Sequence, residues 1–127
     1  MGEVVLDADV VIGFLERTDV HHSDAVARLR PWLEREHRRF MAASTYAEAL
    51  VRPIRRGVDR SVDEFVDIGD VEIVPIDRTL ARRSAELRAR HRTLRLPDAV
   101  TLATALEREA ELLTFDRALR RIERAER

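Results

Sequence analysis

Short apolar runs alternate along the chain with stretches whose apolar residues recur every three or four positions. Val4-Val5-Leu6 is a β-branched run that ends at Asp7 and predicts a buried first strand. Val10, Val11, Phe14 and Leu15 then keep helical spacing, so a helix follows closely. A longer helical stretch covers residues 23–37, with Ala25, Val26, Leu29, Trp32 and Leu33 on one face and Pro31 placed to kink or divide it. Phe40-Met41-Ala42-Ala43 reads as a second strand. Ser44 or Thr45 caps the next helix, which Gly57 closes after Arg56.

Ser61-Val62-Asp63-Glu64 is a capping-box pattern that opens a brief helix. Residues 71–76 form a third strand, and Asp77 caps a helix whose Leu80, Ser84, Leu87 and His91 share a face. Pro97-Asp98 opens another helix, with Ala99, Leu102, Ala103 and Leu106 along one side. Leu112-Leu113-Thr114-Phe115 is a fourth strand ending at Asp116, and an Arg/Glu-rich helix follows with an end expected to fray. This alternation predicts a three-layer α/β/α sandwich around a central, mainly parallel sheet. With 127 residues and no linker or repeat, the expectation is one domain over residues 1–127.

Composition mostly excludes. The formal net charge of -1 supplies no global basic field for a nucleic acid, although a bound cation would supply a local one. All 23 basic residues are Arg, which rules out any mechanism that needs a catalytic lysine. With no Cys there are neither disulfides nor thiolate metal sites. The first residues lack a basic, apolar export signal, and no segment approaches a membrane span, so a cytoplasmic protein is expected.

The acids change the picture. Asp7 ends the first strand and Asp116 the fourth, while Asp98 opens the helix leading into that fourth strand. Glu48 is placed in the first turn of the helix after the second strand. In an open parallel sheet these positions share the carboxyl edge, where ligands bind. Asp9, two residues from Asp7, points to the same side if the chain there is extended. Taken singly, Glu48, Asp98 and Asp116 also read as helix-start acids, and Glu48 can pair with Arg52. Taken together, converging carboxylates repel one another unless a hard cation such as Mg2+ or Mn2+ neutralises them. Thr114, two before Asp116, is placed to hydrogen-bond a ligand or water there.

Four segments in order, residues 5–12, Thr45-Tyr46-Ala47-Glu48, Leu96-Pro97-Asp98-Ala99 and Leu113-Thr114-Phe115-Asp116, resemble the motifs of PIN-domain ribonucleases, most closely the VapC toxins. The resemblance spans nearly the whole chain. It implies the α/β/α fold and a metal site formed by Asp7, Glu48, Asp98 and Asp116, with Asp9 and Thr114 as accessories. Asp9 stands where many members have Asn, Ser or Thr, and Glu109-Ala110-Glu111 lacks a Gly common before the last strand. The resemblance further implies RNA cleavage with Mg2+ or Mn2+, a homodimer, and inhibition by a VapB-type antitoxin.

Two other classes compete. Asp7-Ala8-Asp9 after a first strand also resembles the start of aspartyl-phosphate phosphatases and response-regulator receivers, but both place a Lys at the phosphate and this chain has none. A non-catalytic binding module would use the acids only as caps. Among the arginines, Arg52, Arg55, Arg56 and Arg117 lie nearest the predicted edge. His21, His22, His37 and His91 show no metal-ligand spacing, and Trp32 and Phe65 read as core or dimer contacts.

Overall fold

The computed structural model describes residues 2–127. Four strands, β1 (Glu3–Leu6), β2 (Arg38–Ala42), β3 (Val71–Val74) and β4 (Glu111–Leu113), pair in the order β3-β2-β1-β4, and every pairing is parallel. Side chains alternate across this sheet as the pleat requires. Val5, Phe40, Ala42 and Leu112 enter one core with α5 (Arg78–Arg90), α6 (Leu96–Glu107) and α7 (Arg117–Glu126). Val4, Leu6, Met41 and Leu113 enter a second with α1 (Ala8–Leu15), α2 (His22–Leu29), α3 (Ala43–Arg56) and α4 (Arg60–Ile68). The architecture is therefore the expected α/β/α sandwich around a parallel sheet.

The strand order sets the position of any ligand. The chain steps from β1 to β2 to β3 in one direction, then returns across the sheet to place β4 on the far side of β1. The order thus reverses between β1 and β4, and a crevice opens beyond their carboxyl ends. Asp7 and Asp116 follow those two strands.

Several boundaries differ from expectation, each for a local reason. The stretch 23–37 is not one helix. α2 stops at Leu29, Pro31 sits in a 3-10 turn at Arg30–Leu33, and residues 34–37 are non-helical. Neither Ser44 nor Thr45 caps α3. The helix begins at Ala43 with Ala42 as its cap residue, and no side chain caps it. The Thr45 hydroxyl instead meets Thr101 at 2.9 Å between α3 and α6.

Ser61 does not cap α4, whose cap residue is Asp59; its hydroxyl donates to Val58 O. β3 ends at Val74 because Pro75 lacks the N–H a ladder needs. β4 ends at Leu113, and Thr114 and Phe115 belong to the loop. Asp77 does cap α5, accepting from Leu80 N at 2.8 Å. The terminal helix runs to Glu126, which is held by Arg90 and His91 of the α5 end.

Candidate metal centre

One cleft of about 410 Å³ is lined by Asp7, Ala8, Asp9, Glu48, Thr93, Arg95, Asp98 and Asp116. All five acids singled out in the sequence meet there. Asp7 follows β1 directly, anchored by its N–H to Leu113 O at 3.0 Å, and is 8% exposed. Its Oδ1 accepts from Ala8 N at 2.8 Å as the cap of α1. Its Oδ2 accepts from the Thr114 hydroxyl at 2.7 Å. That same hydroxyl oxygen accepts from Asp116 N at 3.0 Å, so one fully buried side chain ties the first and last acids together. Asp116 caps α7 through Ala118 N and Leu119 N, both bonded to Oδ1, and neither of these bonds uses Oδ2.

Asp9 and Glu48 reach the cleft by routes the sequence reading did not anticipate. Asp9 lies in the first turn of α1 rather than on an extended segment, so helix curvature swings it beside Asp7. Its Oδ2 accepts from Phe115 N at 3.1 Å, while its Oδ1 is buried with no hydrogen-bond partner. Because α3 starts at Ala43, Glu48 sits in the second turn, one turn further from the sheet than expected. Its exposed carboxyl overhangs the cleft and caps nothing. Asp98, in the first turn of α6, faces Arg95 at 3.6 Å.

The acids titrate as a crowded, desolvated group. Burial pushes the Asp7 carboxyl up, opposed by the Thr114 and Ala8 hydrogen bonds. Burial and then the Asp7 charge push Asp9 up to about 6. Glu48 and Asp98 are raised by burial first and by Asp7 second, with Arg95 pulling both back down. Such a site loses free energy by holding its negative charge without a cation.

The donor set is made of oxygen alone, as hard cations such as Mg2+ or Mn2+ require, and the unpartnered Asp9 Oδ1 adds a ready ligand atom. The residues present therefore fit a divalent ion. No three of the cleft's acids come within 4.8 Å of one another; among the described residues only Glu34, Glu36 and His37 do. That trio precedes β2 at the opposite end of the sheet, and both glutamates are exposed.

Sequence reasoning missed Thr93 and did not single out Arg95. Arg95 stands three residues before Asp98, immediately ahead of the Leu96-Pro97 helix start, and that spacing was its available signal. The four arginines expected nearest the edge line no part of the cleft: Arg52 and Arg56 pair instead with Glu16 at 4.0 and 3.8 Å. The histidines serve other ends. The His21 ring stacks on Phe115, His22 meets Gly13 O, and His91 bonds Glu126. Trp32 lies against His37, and Phe65 packs on Phe14 in the core.

The sequence matches the PIN domain family over residues 4–125. The chain belongs to that family. Its PIN fold is shared with a toxin–antitoxin complex from Klebsiella pneumoniae at 25% identity and a TM-score of 0.72, over 89% of this chain and 86% of that one. VapC20 of Mycobacterium tuberculosis, a toxin that cleaves the sarcin-ricin loop, superposes with a TM-score of 0.74 at 16% identity, over 93% of both chains. FitAcB from Neisseria gonorrhoeae gives 0.74 at 21% identity, over 95% of this chain and 93% of that one. No curated protein matches the sequence. In this PIN domain the acid cleft occupies the point where the strand order reverses.

Proposed function

We propose that this PIN domain is a metal-dependent endoribonuclease and the toxin of a toxin–antitoxin pair. The observation that carries the reading is the convergence of Asp7, Asp9, Glu48, Asp98 and Asp116 on one cleft, with four of them shifted upward from their ordinary pKa. Asp7, Asp98 and Asp116 would hold the principal Mg2+ or Mn2+, with Asp9 adding a ligand on its unpartnered oxygen. A bound ion of this kind polarises a phosphodiester and lowers the pKa of its water. Glu48, exposed at the mouth and raised in pKa, orients the attacking water and accepts its proton. Thr114 fixes the carboxylate of Asp7.

The toxin role rests on the likeness to toxin–antitoxin structures, one of them at 25% identity. It brings with it a VapB-type antitoxin, a homodimer and a cytoplasmic site of action. An apolar groove of about 450 Å³, lined by Phe14, Leu15, Leu33, Phe65 and Ile68, is in keeping with a protein partner. No helix among the described residues is long and apolar enough to cross a membrane. Phosphotransfer finds no support, because no lysine exists to hold the phosphate. A module whose acids serve only as caps leaves Glu48 and the free oxygen of Asp9 without a purpose.

The decisive experiment incubates total RNA with wild type and Asp98→Asn, with and without Mn2+. Cleavage by wild type in Mn2+ alone is expected, with loss of at least about 100-fold in the variant. Expression of wild type should arrest growth, and Asp98→Asn should relieve the arrest. Wild-type protein that neither cleaves RNA with Mn2+ nor slows growth would sink the reading.

A further inference from the structure

Arg95 is the one cation among the residues lining a cleft with five carboxylates. Its backbone is the cap residue of α6, but no side chain caps that helix, so the guanidinium has no structural task at the helix start. It is 72% exposed, and its Nε stands 3.6 Å from Asp98 Oδ2, beyond hydrogen-bond length. An ion pair with one partner this exposed and no hydrogen bond is weak, so the side chain leaves Asp98 at little cost. Its positive field nevertheless reaches Asp7, Glu48 and Asp98, each of which it lowers.

We propose that Arg95 is a phosphate-contacting residue of the cleft, poised on Asp98 in the free protein and transferred to the RNA backbone when substrate enters. The assignment rests on the ribonuclease reading and extends it to substrate binding. The planar guanidinium fork matches two phosphate oxygens, which a single ammonium does not. Until RNA arrives, the same charge opposes a divalent ion at the acids it faces. Arg95 therefore affects metal and RNA in opposite directions.

That opposition supplies the test. Mn2+ affinity is measured by calorimetry without RNA, and kcat and KM for a labelled single-stranded RNA are measured at saturating Mn2+ over a range of salt. Arg95→Ala should bind Mn2+ about threefold more tightly or better, since a unit charge facing the acids is gone. It should raise KM about tenfold, and the salt slope of log KM should fall by about 0.7, the loss of one phosphate contact on a single strand. Arg95→Lys should keep wild-type Mn2+ affinity and recover KM only in part, because it restores the charge and not the fork. A structural lesion would weaken metal and RNA together. That result, or an unchanged KM in Arg95→Ala beside an active wild type, would overturn the assignment and leave the ribonuclease reading standing. Wild type without Mn2+ binding or cleavage overturns both.

Discussion

At the scale of single residues, Thr114 does more for the centre than any acid does alone. Its hydroxyl donates to Asp7 and accepts from the Asp116 amide, so the spacing between the first and last acids depends on one Cγ-sized group. Valine has nearly the same shape and neither capability. Thr114→Val leaves a buried Asp7 oxygen and a half-buried N–H unpaired, at a cost of about 1–3 kcal/mol. The Asp7 carboxyl, already raised, also loses the largest of the influences that lower it. Thr114→Val is expected to lose that stability in urea denaturation together with most of its Mn2+-dependent cleavage, whereas Thr114→Ser retains both. A Val variant as stable and active as wild type would show that the bond is dispensable.

At the scale of elements, Asp116 both caps a helix and lines the cleft, and substitution can separate the two. One carboxylate oxygen caps α7 through two amides, which leaves the other for the cleft. Asparagine caps as well as aspartate but carries no charge. Asp116→Asn should therefore unfold like wild type while losing Mn2+ binding and cleavage. Asp116→Ala should lose both, with about 1 kcal/mol of stability gone with the cap. If Asn costs stability and leaves cleavage intact, Asp116 is only a cap. This double use also explains what could be read without a structure. Strands β1 to β4 and their helices were legible because apolar periodicity is imposed by burial on both faces of the sheet. The cap of α3 was not, since Ser44 and Thr45 are good cap residues that do not cap it: Thr45 bridges to Thr101, the Ser44 hydroxyl has no partner, and α3 begins before either. The turn occupied by Glu48 shifted with that boundary. Arg95 was not singled out because it is one of 23 arginines; its spacing to Asp98 is local, but only the fold brings Asp7, Asp9, Glu48 and Asp116 to the same cleft.

At the scale of the whole molecule, the return of the chain across β1 to form β4 creates the crevice and concentrates the acids in it. Folding therefore opposes itself at this edge, and the conflict depends on pH. A carboxyl whose folded pKa lies above its unfolded value binds protons in the native state that the unfolded chain has released. Its contribution favours folding in acid and declines as pH rises through that interval. For Asp9 the interval runs from 3.8 to about 6, and Asp7, Glu48 and Asp98 shift in the same direction. Glu126 runs the other way. Held down by Arg90 and then His91, it stabilises above the ordinary glutamate range and that stability is lost as pH falls below it. Metal-free protein should accordingly be most stable in mild acid and weaken between about pH 4 and pH 6. Asp9→Asn removes one part of this penalty, so metal-free Asp9→Asn should gain on the order of 1–2 kcal/mol near pH 7.5, after allowance for solvent screening, and little near pH 4. On the proposed reading Mn2+ would bind only the folded cleft and should reverse the ranking, stabilising wild type more than Asp9→Asn. Denaturation of both proteins in EDTA and in Mn2+ across this range measures each part. A metal-free wild type whose stability climbs steadily from pH 5 to pH 8 would show that the acids are not held against their own charge, and an equal gain from Mn2+ in both proteins would remove Asp9 from the ion.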